Sequence, residues 1–301
     1  MISKFLSYKN KFYILFLFFF SIIVNYYYAS KGVFPIDTFL HFDSGYRILN
    51  GEYPFVDFWT VSGPAINYIQ AIFFYLLGIN WSSYILHASL MNALLTISTF
   101  FLLKNFQLKN DFCFFYSFLF ALLAYPSSGT PFLDHHSAFF SLMGIYSLLN
   151  GIKNKKAIYW LLIPIFFGFA FLSKQVPAFY IILAVSIITI LYSIKNKTLI
   201  YINYFAASSA FFILCVLFLG KLQGISFSSF FEQYIFYPQS IGYERLSNFD
   251  FSFRGVVDHF KFIYLSIIPF LILNLKKIFF SQKYIKTDEF YIFLIIIFLT
   301  F

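Results

Sequence analysis

Four of the twelve carboxylates in the chain fall within 21 residues: Asp37, Asp43, Glu52 and Asp57, in FPIDTFLHFDSGYRILNGEYPFVDFWTVSGP. Carboxylates are the residue type for moving a proton at near-neutral pH or for binding the hydroxyls of a polar ligand. Each also has a plainer role to compare. Asp37 stands where the N-cap of a helix over 38–49 would stand, and Asn50-Gly51 supplies the stop for that helix. Asp43 and Arg47 have the i, i+4 spacing of an ion pair. Glu52, beside the turn, reads as solvated. Asp57 lies between Phe55-Val56 and Phe58-Trp59, where it either holds a turn or reaches a ligand. A second group, Asp134-His135-His136, offers ligand types that suit a divalent ion. Adjacent histidines on a helix point about 100° apart, a poor chelating arrangement. Asp134 can cap the helix that begins there, and Asp134 with His135 can contact a sugar or phosphate. The third group is cationic: Lys174 in FLSKQVPAF, and Arg245 and Arg254 in YPQSIGYERLSNFDFSFRG. Arginine grips phosphate bidentately, whereas a lysine beside an apolar run can simply snorkel to water.

The elements that hold these groups are set by composition. Of 301 residues, 60% are apolar, 25% aromatic and 11% charged. Soluble domains carry about 25% charged residues, so a single water-soluble core is excluded. Disorder is excluded by the same hydrophobicity. Runs such as Ile14 to Val24 do not alternate in polarity, which rules out a transmembrane barrel. The expected fold is therefore an all-α polytopic membrane protein, one domain over 1–301. Its apolar runs lie at about 12–29, 82–103, 111–126, 137–150, 157–173, 177–194, 199–219 and 260–275. The first ends in Asn25-Tyr26-Tyr27-Tyr28 without a small-x-small cleavage site, so it reads as a retained helix rather than a signal peptide. A final run, Phe290 to Phe301, stops after 12 residues and reads as an incomplete ninth helix or a truncated sequence. Cys113 and Cys215 lie inside apolar runs and read as small hydrophobes. His87 and Asn92 are polar groups inside the second run, suited to helix packing.

Residues 64–78 open with Pro64 and close with Gly78. Fifteen helical residues reach roughly 22 Å, short of a hydrocarbon core about 30 Å thick. With Asn67 and Gln70 as a polar edge, the segment is expected to lie in the interface. Charge parity agrees. With 64–78 not spanning, 14 of the 21 basic residues fall on one side, in short loops around Lys4–Lys11, Lys104–Lys109, Lys153–Lys156, Lys195–Lys197 and Lys276–Lys286. That side becomes cytoplasmic by the positive-inside rule, together with the amino terminus. The net charge of +9 is then a topology signal and needs no nucleic-acid partner. The long loops 30–81 and 220–259 face outward, with short loops near 127–136 and 174–176, and that side holds nine of the twelve carboxylates and the remaining seven cations. No glycine-rich phosphate loop occurs.

The stretch 37–78 resembles the first outer loop of GT-C glycosyltransferases, in particular bacterial relatives of the protein O-mannosyltransferases and the lipid A aminoarabinose transferases (glycosyltransferase family 39-like). Those proteins have an aspartate after the first span, a helix, a G-x-x-P-[YF]-x-D-[FV]-W motif, and an amphipathic helix opened by G-P or P-P and ending L-[LF]-G. The matching residues are Asp37, Gly51, Pro54, Phe55, Asp57, Phe58, Trp59, Gly63, Pro64 and Gly78. Many members carry an acidic residue directly after the first aspartate; here it is Thr38, so an Asp-Glu pair for a divalent metal is incomplete. The resemblance implies transfer of a sugar from a polyprenyl-phosphate-linked donor, with inversion, to an envelope lipid, glycan or protein at the outer face of the cell membrane. Asp37 would act as base and Asp57 would be the second catalytic residue. Asp43, Asp134 and His135 would contact substrate, Lys174 and Arg245 the donor phosphate. No cofactor is required by these residues; a divalent metal is the candidate if one is used. A transporter or flippase of lipid-linked sugars, or a non-catalytic membrane scaffold, are the alternatives.

The topology has a direct test. With Cys113 and Cys215 replaced, a single cysteine in the 30–81 loop is expected to react with an impermeant maleimide on intact cells. One in the 153–156 loop is expected to react only after permeabilisation, and the reverse pattern overturns the map.

Overall fold

A computed structural model describes residues 8–32, 38–125 and 128–247, and isolated stretches between 252 and 272; the side chains of 244–246 are outside this description. The described residues are helical and form no strand. The helices are α1 (Tyr8–Ala29), α2 (Thr38–Leu49), α3 (Pro64–Leu77), α4 (Trp81–Asn105), α5 (Asn110–Leu123), α6 (Leu133–Asn154), α7 (Ala157–Ser173), α8 (Ala178–Lys195), α9 (Ile200–Leu222), α10 (Phe227–Phe231) and α11 (Tyr237–Ser247). A π-helical turn, Glu232–Phe236, joins the last two. α1, α4, α8 and α9 are long and apolar enough to cross a membrane, while α3, α5 and α7 are apolar but shorter. The apolar run expected at 260–275 falls largely outside the described residues.

The helices are inside-out relative to those of a soluble protein. α1 buries Asn10, Ser21 and Asn25 with Leu17 and leaves Leu15, Phe16, Phe19 and Ile23 exposed. Ser208 is the buried residue of α9, whose Phe211, Leu214, Leu217 and Phe218 face outward. Exposed apolar faces of this kind suit a lipid surround, where polar groups must find partners between helices. They do so here. Asn25 Nδ2 donates to Ser89 Oγ (2.9 Å) and to the Gly129 carbonyl (3.1 Å), tying α1 to α4 and to the α5–α6 connection. Asn92 Nδ2 donates to the Ala121 carbonyl of α5 at 3.0 Å. The packing reading of Asn92 holds.

Small residues set the close approaches. A Cβ on Gly144 would sit 2.8 Å from the Phe167 ring, and one on Gly168 would sit 2.2 Å from the Phe212 ring. The core between α6, α7, α8 and α9 is built on Trp160, which stacks on Tyr192 (5.4 Å) and Tyr201 (4.6 Å). Interhelical contacts also sort the chain into two ends. Lys9 meets Asp111 at 2.8 Å and Lys153 Nζ donates to the Asn105 carbonyl at 2.5 Å, so basic connections gather together. At the other end Tyr26 donates to Ser82 at 2.9 Å and Gly63 N–H to Ser173 O at 3.1 Å.

Local signals position the segment from α2 to α3, the first of the two expected to face outward. α2 stops at Asn50-Gly51, where Gly51 takes φ +89°. α3 has Pro64 in its first turn, and Gly78 at φ +84° donates its N–H to Phe74 O. The polar edge of α3 points inward rather than to the interface. Asn67 and Gln70 are fully buried and meet His41 of α2 and His87 of α4. Each is bonded through its side-chain oxygen, while Asn67 Nδ2 and Gln70 Nε2 have no hydrogen-bond partner among the described residues. Trp160→Ala, which removes a fully buried ring from three stacked aromatics, is expected to cost about 3–5 kcal/mol of stability. Thermal unfolding in detergent measures it.

Candidate functional site

Acidic residues of the first outer segment are held by one arginine and one turn. Arg47 Nε lies 2.8 Å from Asp43 Oδ2 and Arg47 Nη1 lies 3.0 Å from Glu52 Oε2, so Glu52 is a partner of Arg47 and not merely solvated. The guanidinium also stands over the Phe58 ring at 5.5 Å. These side chains are substantially exposed, so the ion pairs fix geometry more than they add stability. Asp57 Oδ2 accepts the Tyr53 amide at 2.7 Å and closes the turn. Within that turn Phe55 takes φ +69° yet is almost fully buried, an unusual backbone state for a non-glycine residue. It persists because its ring packs against Phe230 (5.3 Å) and Tyr234 (6.1 Å) of the second outer segment. Asp43 borders a recess of about 430 Å³ with Phe39, Phe42, Tyr46 and Ile79.

Two glutamines and a glycine dock the outer segments on each other. Gln233, in the π-helical turn, accepts the Thr60 amide at 3.0 Å and donates to the Phe55 carbonyl at 3.4 Å. Gln175 donates to Tyr234 O at 2.5 Å and to Val61 O at 3.3 Å. The Tyr234 hydroxyl donates to the Phe171 carbonyl, and burial pushes that phenol well above its ordinary range. Tyr68 of α3 donates to Gln223 Oε1 at 2.5 Å, and burial pushes its phenol up to about 12. A Cβ on Gly63 would lie 1.9 Å from the Leu172 carbonyl oxygen, so only glycine permits the backbone contact with the end of α7.

Asp134 and Lys174 form an ion pair with each other. Asp134 lies within the first turn of α6, whose N-cap position is Phe132, so it does not cap the helix. Lys174 sits at the end of α7, and its carbonyl accepts from Ser137 Oγ at 3.3 Å. The two histidines beside Asp134 diverge. His135 packs beside Tyr125, with ring centroids 5.0 Å apart, whereas His136 is fully buried and turns into the bundle. Among the described residues no group of three or more His, Cys, Asp or Glu side chains is arranged to hold a metal ion. Asp37 and the side chain of Arg245 lie outside the described residues. Arg254 faces Asp258 at 3.8 Å, and both are exposed.

An apolar cavity of about 340 Å³ opens between α7 and α9, lined by Phe167, Gly168, Phe171, Phe212, Leu217 and Phe230. Phe171 places it within a turn of Lys174 along the chain. The sequence reading missed Gln175 and Gln233, because neither stands in a charged group or motif. It also missed His41. A signal for His41 existed in its i, i+4 relation to Asp37 and its place in the first turn of α2.

No family model matches the chain, and no curated protein or solved structure matches it. Nothing in these comparisons identifies a glycosyltransferase, and the resemblance of 37–78 stands on its motif residues alone.

Gly63→Ala is expected to undock 51–63 from the end of α7, at a cost of about 1–3 kcal/mol for the overpacked contact. Limited proteolysis should then cut between Gly51 and Gly63 faster than in the wild type. Equal cleavage rates would show that the contact is dispensable.

Proposed function

We propose that the chain is a multi-pass membrane glycosyltransferase that uses a polyprenyl-phosphate-linked sugar. On this reading eight helices span the cell membrane, the amino terminus is cytoplasmic and the docked outer segments are the working face. The observation that carries the proposal is the grouping on that face. An acidic first segment is packed on the second segment, and a lysine at the end of α7 follows directly from the wall of an apolar cavity. A lipid-linked anionic donor needs those three features together: room for a chain, a cation at its phosphate, and a carboxylate facing the acceptor.

The chemistry follows from the roles. Asp37 takes the proton of the acceptor hydroxyl as its oxygen attacks the anomeric carbon, and the bond from that carbon to the phosphate oxygen breaks with inversion. The leaving polyprenyl phosphate carries the electron pair, so it needs positive charge rather than a proton. Lys174 and Arg245 supply it, with Asp134 holding Lys174 until the phosphate arrives. Asp57 keeps the turn that orients the loop, while Asp43 and His135 contact substrate. A transporter of lipid-linked sugars is the second reading, favoured by the buried polar groups of α4 and α6. Of those groups, His87 and His136 lie within about two turns of the helix starts, while the mid-helix Asn92 is engaged by the Ala121 carbonyl of α5 at 3.0 Å, a packing contact rather than an open midplane site.

General-base catalysis is worth about 10²–10⁴-fold, so Asp37→Asn is expected to lose at least that much transfer from a labelled polyprenyl-phosphate sugar while still binding it. If Asp37 is only an N-cap, Asp37→Asn is nearly silent and Asp37→Ala costs about 1 kcal/mol of stability. A stable, active Asp37→Asn protein removes Asp37 from the mechanism.

A further inference from the structure

Behind the outer segments lies a buried polar chain that the proposed transfer reaction does not use. Gln70 Oε1 is 2.9 Å from His87 Nδ1, His87 Nε2 is 2.9 Å from His136 Nε2, and His136 Nδ1 is 2.8 Å from the Tyr125 hydroxyl. The Tyr125 hydroxyl in turn accepts the Phe132 amide at 2.9 Å. Gln70 belongs to α3, His87 to α4 and His136 to α6, and all four side chains are fully buried. A parallel contact, His41 Nδ1 to Asn67 Oδ1 at 2.8 Å, joins α2 to α3.

With the Gln70 side-chain oxygen facing His87, the contacts accommodate a neutral assignment of both imidazoles. The amide oxygen of Gln70 accepts, so His87 carries its proton on Nδ1 and accepts at Nε2. His136 therefore donates from Nε2 and accepts the Tyr125 proton at Nδ1. Every contact is satisfied with both imidazoles uncharged. An added proton on His87 Nε2 would set two N–H groups against each other. One on His136 Nδ1 would find only the Phe132 carbonyl, at 3.2 Å, and a reoriented Tyr125 hydroxyl.

Charge compensation is absent among the described residues. The titratable groups facing the pair are His41 from α2, Tyr84 from α4, Tyr125 from the α5–α6 connection and His135 from α6. α3 offers only the amides of Asn67 and Gln70. Asp134 of α6 is engaged by Lys174 from the α7–α8 turn. His87 lies flat on the Phe73 ring of α3 at 5.0 Å, and His136 lies 6.2 Å from Phe140. A buried cation without a carboxylate is expensive, so the way to accept a proton is to open the contact and hydrate the ring.

We propose that the His87–His136 pair is an acid-released latch that holds α4 against α6, with α3 tied to it through the Gln70–His87 contact. Above the ordinary imidazole range, about 6.5, the neutral pair is closed. Below it, the opened form takes up protons that the closed form has no room for, so falling pH favours opening. The latch does not depend on the transferase reading, because it acts on helix docking whatever the outer segments do.

Hydrogen exchange of the wild-type protein in lipid nanodiscs at pH 7.5 and 5.5, corrected for intrinsic exchange, tests the latch. Protection of the α4 and α6 amides beside the pair is expected to fall about tenfold for each imidazole released, with α8 unchanged. His87→Gln combined with His136→Gln is expected to show weaker protection of those α4 and α6 amides at pH 7.5 and no response to acid. Should that double variant not fold, Tyr125→Phe decides with the wild type. It keeps both imidazoles and is expected to keep the acid response, and loss of the response there would overturn their role. Equal protection of the α4 and α6 amides at the two pH values, a response persisting in the double variant, or one equivalent of metal bound by the pair in the purified protein would each overturn the latch.

Discussion

The structure depends on one constraint: polar groups must be satisfied between helices, because the outer surfaces are apolar. In a soluble bundle the polar face of a helix finds water, and packing is driven by its apolar stripe. α1 and α9 reverse this, with asparagine and serine inside and phenylalanine and leucine outside. Helices meet where an amide can reach a carbonyl or hydroxyl of a neighbour, as Asn25 reaches Ser89 and Asn92 reaches Ala121. Glycines then allow aromatic rings to close the remaining distance, as at Gly144 and Gly168.

The same rule builds the face where the α2–α3 segment meets the segment after α9. Loops that carry charged groups need a fixed backbone, yet the described residues offer them no sheet or disulfide. Glutamine side chains take the place of a sheet edge. Gln233 bonds both an amide and a carbonyl of the first segment, and Gln175 bonds a carbonyl from each segment. Gly63 adds a direct backbone contact with the end of α7. The positive φ of Phe55 is then a consequence of docking, since its ring fills the space between Phe230 and Tyr234. Charged residues contribute less to this rigidity, because Arg47, Asp43 and Glu52 are well exposed.

Docking also connects the outer face to the bundle interior. α3 is the shared element: its ends anchor the first segment, Tyr68 reaches the turn after α9, and Asn67 and Gln70 reach histidines of α2 and α4. A shift of α3 therefore moves the acidic segment and the polar chain together. The cavity between α7 and α9 ends near the same region, through Phe171 and Phe230. Apolar volume, anchored loops and buried imidazoles thus meet around one short helix.

How much of this was legible beforehand follows from range of interaction. Helix class, the boundaries of α2 and α3, the Asp43–Arg47 pair and the packing role of Asn92 were readable, because composition, glycine and proline stops and i, i+4 spacing are local. Asp57 was left between turn and ligand by its neighbours, and only the Tyr53 amide at 2.7 Å decided for the turn. Asp134 and Lys174, each read as a separate contact, are forty residues apart and found each other through helix packing. His136 was grouped with Asp134 and His135 by adjacency, yet a helix sends successive side chains about 100° apart and carried it inward to His87. Gln175 and Gln233 carried no local pattern at all. The sequence alone determined which segments are apolar helices and where they stop, because those choices are made within a few residues. Only the tertiary structure decided which polar side chains face each other, because each needs a partner that the chain brings from far away.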